Sequence, residues 1–198
     1  MSDDPALLLL AAGSSSRMRG GDKQLEPIAD VPLLRRMAQI CLGADAVTYV
    51  ALPNADHPRW IALEGLNVTP IFIPNANDGM AVTLKSAVQS IADHPAVLIC
   101  PTDMPELGQH HFDRMIQTWR ENPDRIIQAK GKSGNSGHPV IFPQSYFARF
   151  DELTGDQGAK SIISDAQPLF VTFHDDGPNI DLDTPEDWDA WRLSHRAD

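Results

Sequence analysis

The sequence predicts an α/β domain in which helices cover a mostly parallel sheet. Short apolar runs, suited to strands buried on both faces, alternate almost end to end with segments whose apolar residues recur at helical spacing. In addition, 198 residues with 42% hydrophobic content are enough for one substantial core, so a single domain over 1–198 is expected.

The first strand is Ala6 to Ala12. A helix follows with Leu33, Leu34, Met37, Ile40 and Cys41 on one face and Gly43 as its stop, then strands at Ala46 to Leu52 and Val68 to Ile73. Met80, Leu84, Val88 and Ile91 mark a helix from Gly79, and the strand Ala96 to Cys100 ends at Pro101, pointing at Asp103. Next come a helix over Gln109 to Glu121, a strand Arg125 to Ala129, a glycine-rich loop Gly131 to Gly137 and a short strand Val140 to Phe142. A helix near Gly158 to Ser164 and a strand Leu169 to Phe173 precede Ile180 to Asp183. Thr184 suits an N-cap and Pro185 the first helical position, with Glu186 and Asp187 at the positive end of a last helix through Trp188 and Trp191.

A net charge of -11 argues against nucleic acid or an anionic membrane surface as a partner. The run Ala6 to Ala12 is too short to span a bilayer, and the acidic opening from Met1 to Asp4 lacks a basic targeting segment, so a cytoplasmic location is expected. Cys41 and Cys100 lack redox or metal spacing and read as reduced core thiols. The seven histidines show no ligand spacing, and the adjacent His110 and His111 are expected to point apart, in surface roles. His138 is the exception, because Gly137-His138-Pro139 falls beside the expected cleft.

The chemistry concentrates after the first strand. Leu10, Ala11, Ala12, Gly13, Ser14, Ser15, Ser16 and Arg17 lead toward Lys23. Small residues let backbone N–H groups approach an anion, while Arg17 and Lys23 can neutralise triphosphate charge. The loop is spelled neither as a P-loop nor as a dinucleotide fingerprint, and Gly131-Lys132-Ser133 fails as a P-loop because Ile126 stands where its first glycine belongs. Asp103 follows a strand's carboxyl end, where open α/β sheets place their ligand crevice. Asp103 and Asp183, far apart in sequence, could share one magnesium ion across a bound triphosphate. The blander alternatives are a solvated glycine-serine turn, Asp103 as a helix cap and Asp183 as a residue merely preceding a helix.

In their order along the chain, Leu10-Ala11-Ala12-Gly13 through Arg17-Met18 to Lys23, Thr102-Asp103-Met104-Pro105, Gly137-His138-Pro139-Val140, and Gly155 to Lys160 with Asp181 to Asp187 resemble the molybdenum cofactor nucleotidyltransferases. The resemblance extends to the wider glycosyltransferase-A-like nucleotidyltransferases. It implies a Rossmann-like three-layer α/β/α fold, a mostly parallel mixed sheet and a small β-hairpin addition. It also implies that the first loop and Thr102 bind the nucleotide, that Lys23, Arg17 and Asp103 are catalytic, and that Asp103 and Asp183 hold magnesium, with manganese as the alternative ion. Asp181 competes with Asp183 as the second ligand. Gly79, Met80, His138, Pro139, Gly155, Asp156, Gly158, Ala159 and Lys160 would face the acceptor.

Members spelled like this chain at Ala12 resemble cytidine users, whereas glycine there accompanies guanine. The expected reaction is therefore transfer of CMP from CTP to molybdopterin, releasing pyrophosphate, with handover to a molybdoenzyme or its chaperone. The alternatives are guanylyl transfer to the molybdenum cofactor, a sugar-phosphate or polyol-phosphate acceptor, and a carrier that keeps the fold without catalysis.

Overall fold

The computed structural model describes residues 4–44 and 46–195; the acidic opening invoked above lies, apart from Asp4, outside the described residues. In chain order the strands are β1 (Ala6–Leu10), β2 (Pro27–Ile28), β3 (Val31–Pro32), β4 (Thr48–Leu52), β5 (Thr69–Phe72), β6 (Ala96–Pro101), β7 (Ile127–Lys130), β8 (Ser136–Pro143) and β9 (Leu169–Thr172). The α-helices are α1 (Leu33–Gly43), α2 (Pro58–Ala62), α3 (Met80–Ser90), α4 (Gln109–Glu121), α5 (Lys160–Ala166) and α6 (Pro185–Ser194).

Seven strands form one sheet in the order β5-β4-β1-β6-β8-β7-β9. Every pairing is parallel except those of β8, which runs antiparallel to both β6 and β7. The sheet is thus the mostly parallel mixed type expected. Leu7 and Leu9 of β1 belong to the core under α1 and α4, while Ala6 and Leu8 belong to the core on the other face. Alternating side chains buried on both faces explain why β1 and β6 read as unbroken apolar runs. In α1, Leu33, Leu34, Met37, Ala38 and Cys41 are buried, the stripe expected of a helix lying on a sheet.

Three differences from the sequence reading have local causes. Strand β8 is longer than Val140 to Phe142, because Ser136 pairs with Lys130, so the loop after β7 closes before Gly137. Gly137 lies within β8, where an added Cβ would sit 1.9 Å from the Pro178 carbonyl oxygen; the turn Gly177–Asn179 packs directly on its backbone. The β2–β3 hairpin, α2 and the 3-10 turns at Gln144–Glu152 have too little periodicity to be read from sequence. The α6 start is as expected: Thr184 Oγ1 accepts from the Asp187 N–H, and Asp187 Oδ2 accepts from the Thr184 N–H. Among the described residues no helix is long and apolar enough to cross a membrane, and both cysteines are buried free thiols.

The strand order reverses beside β1: the chain leaves it for β4 on one side and returns as β6 on the other. Ligands of open α/β sheets bind at such a switch point, beyond the strands' carboxyl ends. The loop 11–23 and the turn carrying Asp103 both lie there.

Candidate active site

Tertiary structure gathers three distant residues. Lys23 Nζ lies 2.5 Å from Asp103 Oδ2 and 2.7 Å from Asp183 Oδ1, so one ammonium bridges the two carboxylates. Arg17 Nη1 adds a contact of 2.5 Å to Asp183 Oδ2. A backbone bond of 2.9 Å from the Leu182 N–H to the Asp103 carbonyl ties the two acidic segments together. Asp103 does not cap a helix, since α4 begins only after Gly108.

The electrostatics follow from this crowding. Burial works to lower the Lys23 pKa, but Asp103 and Asp183 outweigh it and raise it above the ordinary lysine value, keeping the amine charged. Burial, together with the charges of Asp103 and Asp183, raises the Asp181 carboxyl. Asp183 is the acid that faces Lys23 and Arg17. Asp103 Oδ1 is buried and has no hydrogen-bond partner among the described residues, an expensive state for a carboxylate oxygen unless a cation or donor meets it.

The first loop borders these charges. Leu10, Ala12, Gly13, Ser14, Ser15, Ser16, Arg17 and Lys23 line a cleft of about 350 Å³ together with Gly79, Met80, Asp103, Asp156 and Asp183. The N–H groups of Gly13, Ser14 and Ser15 donate to no other group among the described residues, which leaves them for an anion.

Two residues expected to bind the nucleotide do not line this cleft. Ala11 is buried, its N–H bonded to the Ala51 carbonyl and its carbonyl to Arg59. Thr102 is wholly buried, with its hydroxyl donating to the Leu10 carbonyl at 2.9 Å. The Thr102 hydroxyl and the backbone groups of Ala11 are thus engaged in bracing the strand ends.

The residues assigned to the acceptor divide between two adjoining cavities. Gly79, Met80 and Asp156 line the first. Met80, His138, Gly158, Ala159 and Lys160 line a second, of about 570 Å³, which shares Leu10, Met80 and Pro101 with it. Pro139 and Gly155 line neither: Pro139 is buried, and the Gly155 carbonyl accepts from the Ala81 N–H at 3.0 Å. They shape the walls. Burial lowers the His138 pKa, favouring the neutral ring.

Sequence reasoning missed Arg59. Its guanidinium, 2% exposed, donates to the carbonyls of Ala11 and Gly13 at 2.6 Å each, to Ser15 Oγ at 2.9 Å, and from Nε and Nη2 to both oxygens of Asp22 at 2.8 Å. Arg59 therefore clamps the first loop from beneath. Although burial pushes the Asp22 carboxyl up, the hydrogen bonds and charge of Arg59 bring it below the usual range. A lone arginine in a five-residue helix gives no sequence signal. Gln24 was also missed; it is buried and lines the first cleft.

This fold and site define the nucleotidyltransferase class. The structure of Rv0371c from Mycobacterium tuberculosis H37Rv is 22% identical, covers 98% of both chains and superposes with a TM-score of 0.78; the same protein complexed with manganese gives 0.77, at 21% identity over 96% of this chain and 99% of that one. Among curated proteins, the molybdenum cofactor guanylyltransferase of Mesorhizobium japonicum is 29% identical over 71% of this chain and 67% of its own length. That of Nitrobacter hamburgensis is 30% identical over 68% and 64%. Residues 7–169 match the model of the MobA-like NTP transferase domain, and the chain belongs to that family.

Proposed function

We propose that this chain, acting as one domain, transfers a nucleoside monophosphate from a nucleoside triphosphate to the phosphate of the molybdenum cofactor, and that the nucleotide is GTP. The observation that carries the reading is Lys23 bridging Asp103 and Asp183 at the mouth of a cleft lined by unpaired loop N–H groups. The names of the relatives favour guanylyl transfer. Ala12, which lines the same cleft, is the one residue that favours CTP.

The acceptor phosphate oxygen forms a bond to the α-phosphorus as the bond to pyrophosphate breaks, so no covalent enzyme intermediate is needed. The loop N–H groups and Arg17 hold the phosphates, Lys23 offsets charge gathering on the transferred group, and Asp156 and Lys160 stand on the acceptor side. Asp103 and Asp183 suit a divalent cation: both are hard carboxylates, and Asp103 Oδ1 has a buried coordination position with no protein donor. Such an ion, magnesium or manganese, would supply positive charge to the phosphate oxygens. The manganese complex of the mycobacterial neighbour supports this reading.

The test is labelled GTP or CTP with a divalent ion and molybdenum cofactor as acceptor. GMP transfer is expected. CMP transfer alone would restore the reading from Ala12, and transfer of neither would end the proposal. In Asp103→Asn we expect turnover to fall by about 10³-fold with an unchanged circular dichroism spectrum; wild-type turnover would remove Asp103 from the reaction.

A further inference from the structure

Outside the cleft, three ligand-type side chains converge where the start of α4 meets the turn after β9. His111 Nε2 lies 3.0 Å from Asp175 Oδ1, and His110 Nε2 lies 3.6 Å from Asp175 Oδ2. The potential donor atoms of all three lie within 4.8 Å of one another. Neighbours on a helix diverge by about 100°, which is why the sequence reading sent these rings apart. Here their centroids are 3.9 Å apart. The His110 ring folds back over Gly108, where a Cβ would sit 3.2 Å from its Nδ1, and the buried Phe173 ring packs against both imidazoles.

We propose that His110, His111 and Asp175 form a binding site for a transition-metal ion of the zinc type, separate from the nucleotide cleft. Two imidazole nitrogens and one carboxylate oxygen suit zinc, cobalt or nickel, whereas magnesium selects all-oxygen sites. Donors 2.0–2.1 Å from a tetrahedral zinc stand about 3.3 Å apart; the separations of 3.0 and 3.6 Å run to different oxygens of Asp175, so ligation through one oxygen asks for a small rotation of the exposed carboxylate or of His110. His110, with 66% of its side chain exposed, forms the solvent-facing edge, where a fourth ligand can enter.

The surroundings are organised for ligation. His111 Nδ1 accepts from the Gly108 N–H at 3.0 Å and lies 3.2 Å from the Gly108 carbonyl, which fixes the ring with Nε2 toward Asp175; a metal ion would take the place of the proton that Nε2 shares with that carboxylate. Asp175 Oδ1 is steadied by the Gly177 N–H at 2.8 Å. A bound ion would cross-link α4 to the segment that carries the chain from β9 toward Asp183.

Zinc titration of the full chain, in excess magnesium, tests the proposal by calorimetry and thermal unfolding, with cobalt absorption as the coordination probe. One zinc equivalent should bind and raise the melting temperature. His110→Ala and Asp175→Asn alter exposed groups, and the asparagine keeps an acceptor for Gly177. Each should weaken zinc binding by at least about tenfold, with nucleotidyl transfer by His110→Ala unchanged. Absence of zinc binding by the wild type, or wild-type affinity in either variant, overturns the site.

Discussion

Replacing Arg59 by methionine should destabilise the protein by about 3 kcal/mol, because breaking a buried ion pair typically costs 3–5 kcal/mol. Methionine keeps much of the apolar stem, so packing changes little. What disappears is the set of five hydrogen bonds to Asp22, Ser15 and the carbonyls of Ala11 and Gly13. Asp22 keeps donors from Ser15 Oγ and the Gln24 N–H, and its side chain is 21% exposed, which places the loss at the lower end of the range. With a urea dependence of about 2 kcal/mol per molar, the unfolding midpoint should fall by about 1.5 M. The loop also loses its clamp, so the KM for the nucleotide should rise more than kcat falls. Adding Asp22→Asn to Arg59→Met should recover part of the stability by removing the stranded charge. A midpoint within about 0.3 M of wild type, or no recovery in the double variant, would refute the clamp.

Two further substitutions probe the cleft walls. Gly79→Ala should cost at least about 2 kcal/mol by urea denaturation, since Gly79 has φ of 123° and its new Cβ would lie 2.3 Å from the Gly155 carbonyl oxygen; wild-type stability would show that this contact relaxes freely. His138→Gln should flatten the fall in stability below pH 6.5. Because burial depresses the His138 pKa in the fold, its contribution is fully present above the ordinary value of 6.5 and is lost as pH falls through the lowered folded-state value. Urea midpoints at neutral and mildly acidic pH, for wild type and variant, measure the difference; equal slopes would exclude His138 as the source.

Some of the site was legible because its signals are local. Asp103 was found from its place just past the β6 run, and the first loop from small residues beside cations in a chain that is otherwise acidic. Thr184 as N-cap, Pro185 and the acids Glu186 and Asp187 announced α6, because such end signals operate within one helical turn. The placement of Ala11 and Thr102 was not legible, for the complementary reason. Sequence position places a residue beside a loop, but whether its atoms face the cleft or brace two strands depends on β4, β6 and Arg59. The acceptor set split likewise, since Pro139 and Gly155 belong to its motifs yet act as wall and support.

The amino-acid sequence by itself determined the alternation of strands and helices, the two-sided burial of β1 and β6, and the small, cationic character of the loop that follows β1. These follow from spacing and propensity over a few residues. Only the tertiary structure decided that Lys23 lies between Asp103 and Asp183, that Arg59 holds the loop from below, and that His110 and His111 turn together onto Asp175. Each of those contacts joins segments 37 to 160 residues apart. Such pairs are chosen by how the sheet brings its strand ends together, and no local pattern of residues encodes which distant partner a side chain will meet.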